Sequence, residues 1–87
     1  MNIENILNEG INILQKNKIA NPRLDSEILL SNTIKRDKKY IILNPKEILN
    51  SEQLRKFKSL IERRKKGEPI AYLINKKLIF PKFFFIY

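Results

Sequence analysis

Asn21-Pro22-Arg23-Leu24-Asp25-Ser26-Glu27-Ile28-Leu29-Leu30-Ser31-Asn32-Thr33-Ile34 is the stretch that decides the fold. Asn followed by Pro marks a helix start. Asn is a favoured N-cap, and Pro at the first helical position lacks only an N–H that would find no partner there. At about 100° per residue, Leu24, Ile28, Leu29, Leu30 and Ile34 point nearly all round the axis, so this helix is expected at the centre of a bundle, covered on most sides. Asp25 falls between the directions of Ile28 and Leu29. A carboxylate there is expected to be at least partly buried, and a buried charge needs a partner.

Elements that could cover such a helix lie on both sides of it. Ile3, Ile6, Leu7, Gly10, Ile11, Ile13 and Leu14 fall within roughly 160° of arc, which predicts an amphipathic helix from Ile3 to Lys16. Gly10 sits in the middle of its apolar face and costs ~1 kcal/mol relative to Ala, so it suits close approach of a neighbouring helix. Residues Asp37 to Leu43 suit a short helix capped by Asp37 or a strand; helix is preferred because a lone strand would lack a mate. Asn44-Pro45 ends it. Asn50 with Gln53 three residues on resembles a capping box and opens a helix to about Lys66, with Leu54, Phe57, Leu60 and Ile61 on one stripe and Gly67 as its C-terminal cap. Glu68-Pro69 opens a last short helix to about Ile74.

The chain ends in Leu78-Ile79-Phe80-Pro81-Lys82-Phe83-Phe84-Phe85-Ile86-Tyr87, which is apolar, β-prone and outside the helical pattern. It reads as one strand of a hairpin in need of another strand or domain, and as a source of aggregation in isolation. The expected fold is all-α, a small bundle of about five helices with a β-prone C-terminal tail.

Composition narrows the function. The 87 residues include no His, no Cys and two isolated glycines, Gly10 and Gly67. Disulfides, the usual zinc ligand sets and His-based triads are therefore excluded, as are Gly-rich phosphate and dinucleotide loops. Fifteen Ile and thirteen Lys against no Val and two Ala have no folding rationale and look like the codon bias of an AT-rich genome. No secretory signal and no apolar run of ~18 residues is present, so the expected compartment is the cytoplasm and no membrane partner is expected.

Charge is uneven. Residues 1–34 carry a net −1 and residues 35–87 a net +10, a field that attracts an acidic protein or a nucleic acid. The conspicuous run is Arg63-Arg64-Lys65-Lys66, whose bland reading is a solvated helix end complementing the macrodipole. Arg64 lies in line with Phe57, Leu60 and Ile61 whereas Arg63 points to the other side, so Arg64 is expected to lean over the core and pair with Asp25. No carboxylate pair suits acid–base work, since Asp25 and Glu27 project ~200° apart. Tyr40, Tyr72 and Tyr87 read as core or rim aromatics rather than nucleophiles.

Two segments also carry a resemblance. Arg63-Arg64-Lys65-Lys66-Gly67-Glu68-Pro69-Ile70-Ala71-Tyr72-Leu73 and Asn21-Pro22-Arg23-Leu24-Asp25-Ser26-Glu27-Ile28-Leu29-Leu30 resemble, at the right spacing, the N-terminal domain of the release factor N(5)-glutamine methyltransferases, the HemK/PrmC family. The resemblance covers about residues 3–75. It implies a helical domain over residues 1–75 that docks a peptide-chain release factor, and residues 76–87 as the opening of the interdomain β-hairpin. A catalytic domain, in cis or in trans, would then use S-adenosylmethionine to methylate a glutamine side chain. That domain's Asn-Pro-Pro-Tyr has no counterpart here: Asn21-Pro22 is followed by Arg23 and Asn44-Pro45 by Lys46. After Tyr72 the family's Gly, Glu-Phe and Gly positions hold Asn75, Leu78-Ile79 and Pro81. No catalytic, cofactor-binding or metal residue is therefore expected in this chain, which alone should be inactive. The expected partner surface is basic: Lys56, Arg63, Lys65 and Lys66. The rival reading is a small basic nucleic-acid- or ribosome-binding helical protein.

Overall fold

Five helices make up residues 1–74, the part of the chain that the computed structural model describes: α1 (Ile3–Lys16), α2 (Pro22–Ile34), α3 (Lys38–Leu43), α4 (Ser51–Lys65) and α5 (Ile70–Ile74). The fold is all-α. The strand expected over residues 78–87 lies outside the described residues.

Helix α2 is the hub, packed against α1, α3, α4 and α5. Leu29, Leu30 and Ile34 are buried in the core with Ile3, Ile6, Leu7 and Leu14 of α1 and Phe57, Leu60 and Ile61 of α4. One of its five apolar positions departs from the expectation: Leu24 is 45 % exposed. Asp25, Ser26 and Glu27 beside it are buried, so the first turn of α2 is covered on one side and Leu24 faces away from that cover. Asn21 occupies the N-cap position but its side chain makes no capping hydrogen bond. The start of α2 therefore rests on Pro22 rather than on a cap.

Helices α1, α3 and α4 start with side-chain caps. Asn2 accepts from Asn5 N–H, Asp37 from Tyr40 N–H, and Asn50 and Gln53 form the reciprocal capping box. The first turn of α1 has a further set of acceptors that the sequence did not signal. Ile3 and Glu4 donate their N–H groups to the carbonyls of Glu47 and Pro45, each at 2.9 Å, and Leu49 N–H donates to Met1 carbonyl at 3.0 Å. Orphan donors of a helix N-terminus are thus satisfied by the loop between α3 and α4, and Leu49 becomes part of the core.

Gly10 marks the crossing of α1 and α4. A Cβ built there would lie 2.9 Å from Cζ of Phe57 and 3.1 Å from Cδ1 of Ile61, closer than side-chain carbons tolerate. The ~1 kcal/mol that glycine costs a helix interior permits this approach. At the far end of α4, Gly67 has φ +103°, and Gly67 N–H and Glu68 N–H donate to the carbonyls of Arg64 and Arg63 at 2.9 and 3.2 Å. That is a Schellman closure. Helices α1 and α2 end in related ways, but with Lys18 (φ 61°) and Lys35 (φ 60°) in the left-handed conformation that glycine adopts more cheaply.

Candidate functional site

Helix α4 carries most of the basic residues singled out by sequence, and the structure sorts them into two sets. At its C-terminal end, Arg64 Nε donates to Asp25 Oδ2 at 2.9 Å and Arg64 Nη1 to the carbonyl of Glu68 at 2.9 Å. The side chains are 21 % and 9 % exposed, so the contact ties the central helix to the turn after α4. Arg63 makes a forked contact with the Glu68 carboxylate, Nε at 3.1 Å from both oxygens and Nη2 at 2.8 Å from Oε1. Those hydrogen bonds hold its pKa above the ordinary guanidinium value. Its guanidinium also lies 5.8 Å from the centre of the Tyr72 ring. Lys65 pairs with Glu62 at 3.0 Å. Lys66 is exposed at the cap of the helix.

These contacts set the position of α5. Arg63 and Arg64 grip Glu68 by its carboxylate and its carbonyl, one residue before Pro69, and α5 leaves that turn to pack against both α2 and α4. Leu73 is buried by that packing.

The second set lies nearer the start of α4, on a face that Arg63 shares. Two adjoining hollows share Asn32, Lys56 and Leu73 and form one open groove between the C-terminal half of α2 and the first turns of α4. Half-buried Ile28 and Ile74 contribute aliphatic surface to it, above the buried Leu60 and Leu73. Lys35, Arg36, Arg55 and Lys56 line it with cations. All four are exposed, and none has a carboxylate partner among the described residues. Arg36 lies over the ring of Tyr40, 4.9 Å from its centre. Glu52 is the acidic residue on this lining. Of the residues expected at a partner surface, Lys56 and Arg63 line the groove, Arg63 with its head already bound; the sequence did not single out Lys35, Arg36 or Arg55.

Tyr40 is not an activated nucleophile. Tyr40 hydroxyl donates to Glu47 Oε1, and this hydrogen bond, then burial, push its pKa above the ordinary phenol value, which keeps the oxygen protonated. Ile42 and Leu43 of α3 and Ile48 of the following loop are exposed apolar residues away from the groove lining.

Comparison with known proteins places this arrangement in one family. The PrmC N-terminal domain family model matches residues 5–74. A bifunctional methyltransferase of Rickettsia bellii is 37 % identical over 84 residues, 97 % of this chain and 15 % of that protein. A release factor glutamine methyltransferase of Buchnera aphidicola subsp. Schizaphis graminum is 44 % identical over 77 residues, 88 % of this chain and 27 % of its own length. Another from Aliivibrio fischeri is 34 % identical over 75 residues, 86 % of this chain and 26 % of that protein. The chain thus spans about a quarter or less of these relatives. No solved structure matches it.

Proposed function

This chain belongs to the PrmC N-terminal domain family, the N-terminal domain of release factor glutamine methyltransferases, and from that premise we propose that it is a non-catalytic module that recognises a peptide-chain release factor. It acts beside a methyltransferase catalytic domain, supplied in cis or in trans. The observation that carries the reading is the family match over residues 5–74, nearly the whole helical bundle.

The chemistry of methyl transfer supports the division of labour. The acceptor amide and the sulfonium carbon must be held in line in an enclosed site. The hollows of this bundle are open, and their lining offers cations and aliphatic surface. In this reading S-adenosylmethionine is bound by the catalytic domain, and no residue of this chain is assigned to it. The place of action is the cytoplasm, with the translation-termination machinery; no described helix is long and apolar enough to cross a membrane.

Two assays on the full chain test the reading. Immobilised chain should capture a purified bacterial release factor, and the chain with S-adenosylmethionine should transfer no methyl group to that factor. Failure of capture overturns the recognition role. Methyl incorporation by the chain alone overturns the non-catalytic one.

A further inference from the structure

We infer that the groove between α2 and α4, bordered by α5, is a docking site for a protein segment that presents carboxylates beside aliphatic side chains. The inference rests on the proposal above that the chain recognises a protein partner, and adds where and by what chemistry.

Charge accounting is the first support. Apart from Glu52, the acids of α2, α4 and the turn after it are already engaged: Asp25 with Arg64, Glu27 with Arg23 and Lys38, Glu62 with Lys65, and Glu68 with Arg63. Asp37, which follows Arg36, caps α3. Lys35, Arg36, Arg55 and Lys56 are left facing one groove with Glu52 as the acid on its lining. Four cations against one carboxylate along an aliphatic trough concentrate a positive field that only an incoming anion can neutralise.

The surface between the cations chooses the kind of anion. Half-buried Ile28 and Ile74 leave aliphatic surface in the trough above the buried Leu60 and Leu73, and such surface gains from apolar side chains set against it. A nucleic acid would leave those groups against sugar and phosphate. Single strands are held instead by aromatic faces on which bases stack. Tyr40 and Tyr72, the tyrosines of the described residues, have Arg36 and Arg63 over their rings, and Phe57 is buried. An amphipathic acidic segment meets both the rim and the floor.

Lys35 makes a decisive variant possible. It and Lys18 both sit at helix ends with φ near +60°, but Lys35 lines the groove and Lys18 does not. Gly suits that conformation better than Lys, so Lys35→Gly and Lys18→Gly should each leave the melting temperature of the full chain unchanged or higher. Binding of a purified bacterial release factor is then measured by fluorescence anisotropy. Lys35→Gly should weaken it about three- to tenfold and the Arg55→Glu, Lys56→Glu pair by more than about tenfold, with Lys18→Gly within about twofold of the parent.

The outcomes separate cleanly. If the parent chain binds no release factor, the proposed function and this inference both fall. If the parent binds and the groove variants bind equally well, the groove assignment alone is overturned. If a twenty-nucleotide polyuridylate binds the parent tightly and the groove variants abolish that binding, the groove is a nucleic-acid site and the protein-segment assignment is overturned. Release-factor binding that weakens in the groove variants and not in Lys18→Gly is the expected result.

Discussion

The two ends of α4 carry similar charge and use it in opposite ways. Near its C-terminus Arg63, Arg64 and Lys65 stand in a row that any scan for basic runs would select, yet each is bound to a carboxylate of this chain. Nearer its start Arg55 and Lys56 form no conspicuous run, yet they join Lys35 and Arg36 in a groove without carboxylate partners of their own. The difference teaches that a basic cluster in sequence reports composition, whereas a basic surface is made by packing. Arginine suits the first task because its planar fork can satisfy two acceptors at once. Arg64 does this with Asp25 and the Glu68 carbonyl, and Arg63 with the two oxygens of Glu68.

Substitutions can break this contrast, and the largest effect is expected at Arg64. Arg64→Ala strands the Asp25 carboxylate inside the bundle. Loss of one partner of a buried pair costs 3–5 kcal/mol, and the residual exposure of the guanidinium puts the expected loss near ~3 kcal/mol. Urea unfolding measures it, and an Asp25→Ala, Arg64→Ala cycle should show a coupling above ~1 kcal/mol. A loss within ~0.5 kcal/mol would place Arg64 with the solvated cations.

The packed flank of α4 comes next. Gly10→Ala presses a methyl against the buried ring of Phe57. Overpacking costs about 1–3 kcal/mol and alanine returns ~1 kcal/mol of helix propensity, so a net loss of about 1 kcal/mol is expected by urea unfolding. A gain in stability would show that the crossing is looser than its geometry. Arg63→Ala should give a smaller but measurable fall in melting temperature, since its contact with Glu68 is more exposed than that of Arg64. The smallest effect is expected in the groove. Lys56→Ala should change stability by no more than about 0.5 kcal/mol, because the residue is exposed and makes no ion pair among the described residues.

How much of this was legible in the sequence depended on where the partners lay. Helices announced by a side-chain cap or a proline were placed within a residue or so: Asn50 with Gln53, Asp37, and Pro22 all stand at observed starts. Angular position along α2 and α4 set Asp25 and Arg64 toward one another, and in the structure they meet at 2.9 Å across a separation of 39 residues. Regular helices allow that kind of arithmetic because each residue has a fixed direction. Irregular backbone does not. Pairing of residues 45–49 with the start of α1 and the burial of Leu49 leave no periodic trace, because they depend on a loop folding back across more than 40 residues. The Arg63 contact with Glu68 was hidden for a related reason: the Schellman turn, not the helical period, brings Glu68 back alongside. Leu24 departs from the expectation because the first turn of α2 is covered on one side only, and helical directions do not show which sides have neighbours. The groove cations went unremarked because Lys35 and Arg36 close one helix while Arg55 and Lys56 lie in another, and only packing unites them.

Two lysines of one helix test the central contrast most directly. Lys56 lines the groove and Lys65 is held by Glu62 at 3.0 Å. The measurement is the Kd for a release factor of the Lys56→Gln and Lys65→Gln full-length chains, taken side by side at one salt concentration. Loss of one groove cation should raise Kd about fivefold for Lys56→Gln, with Lys65→Gln within about twofold of the parent. Equal Kd values for the two variants, or a larger loss for Lys65→Gln, would contradict the division of labour along α4.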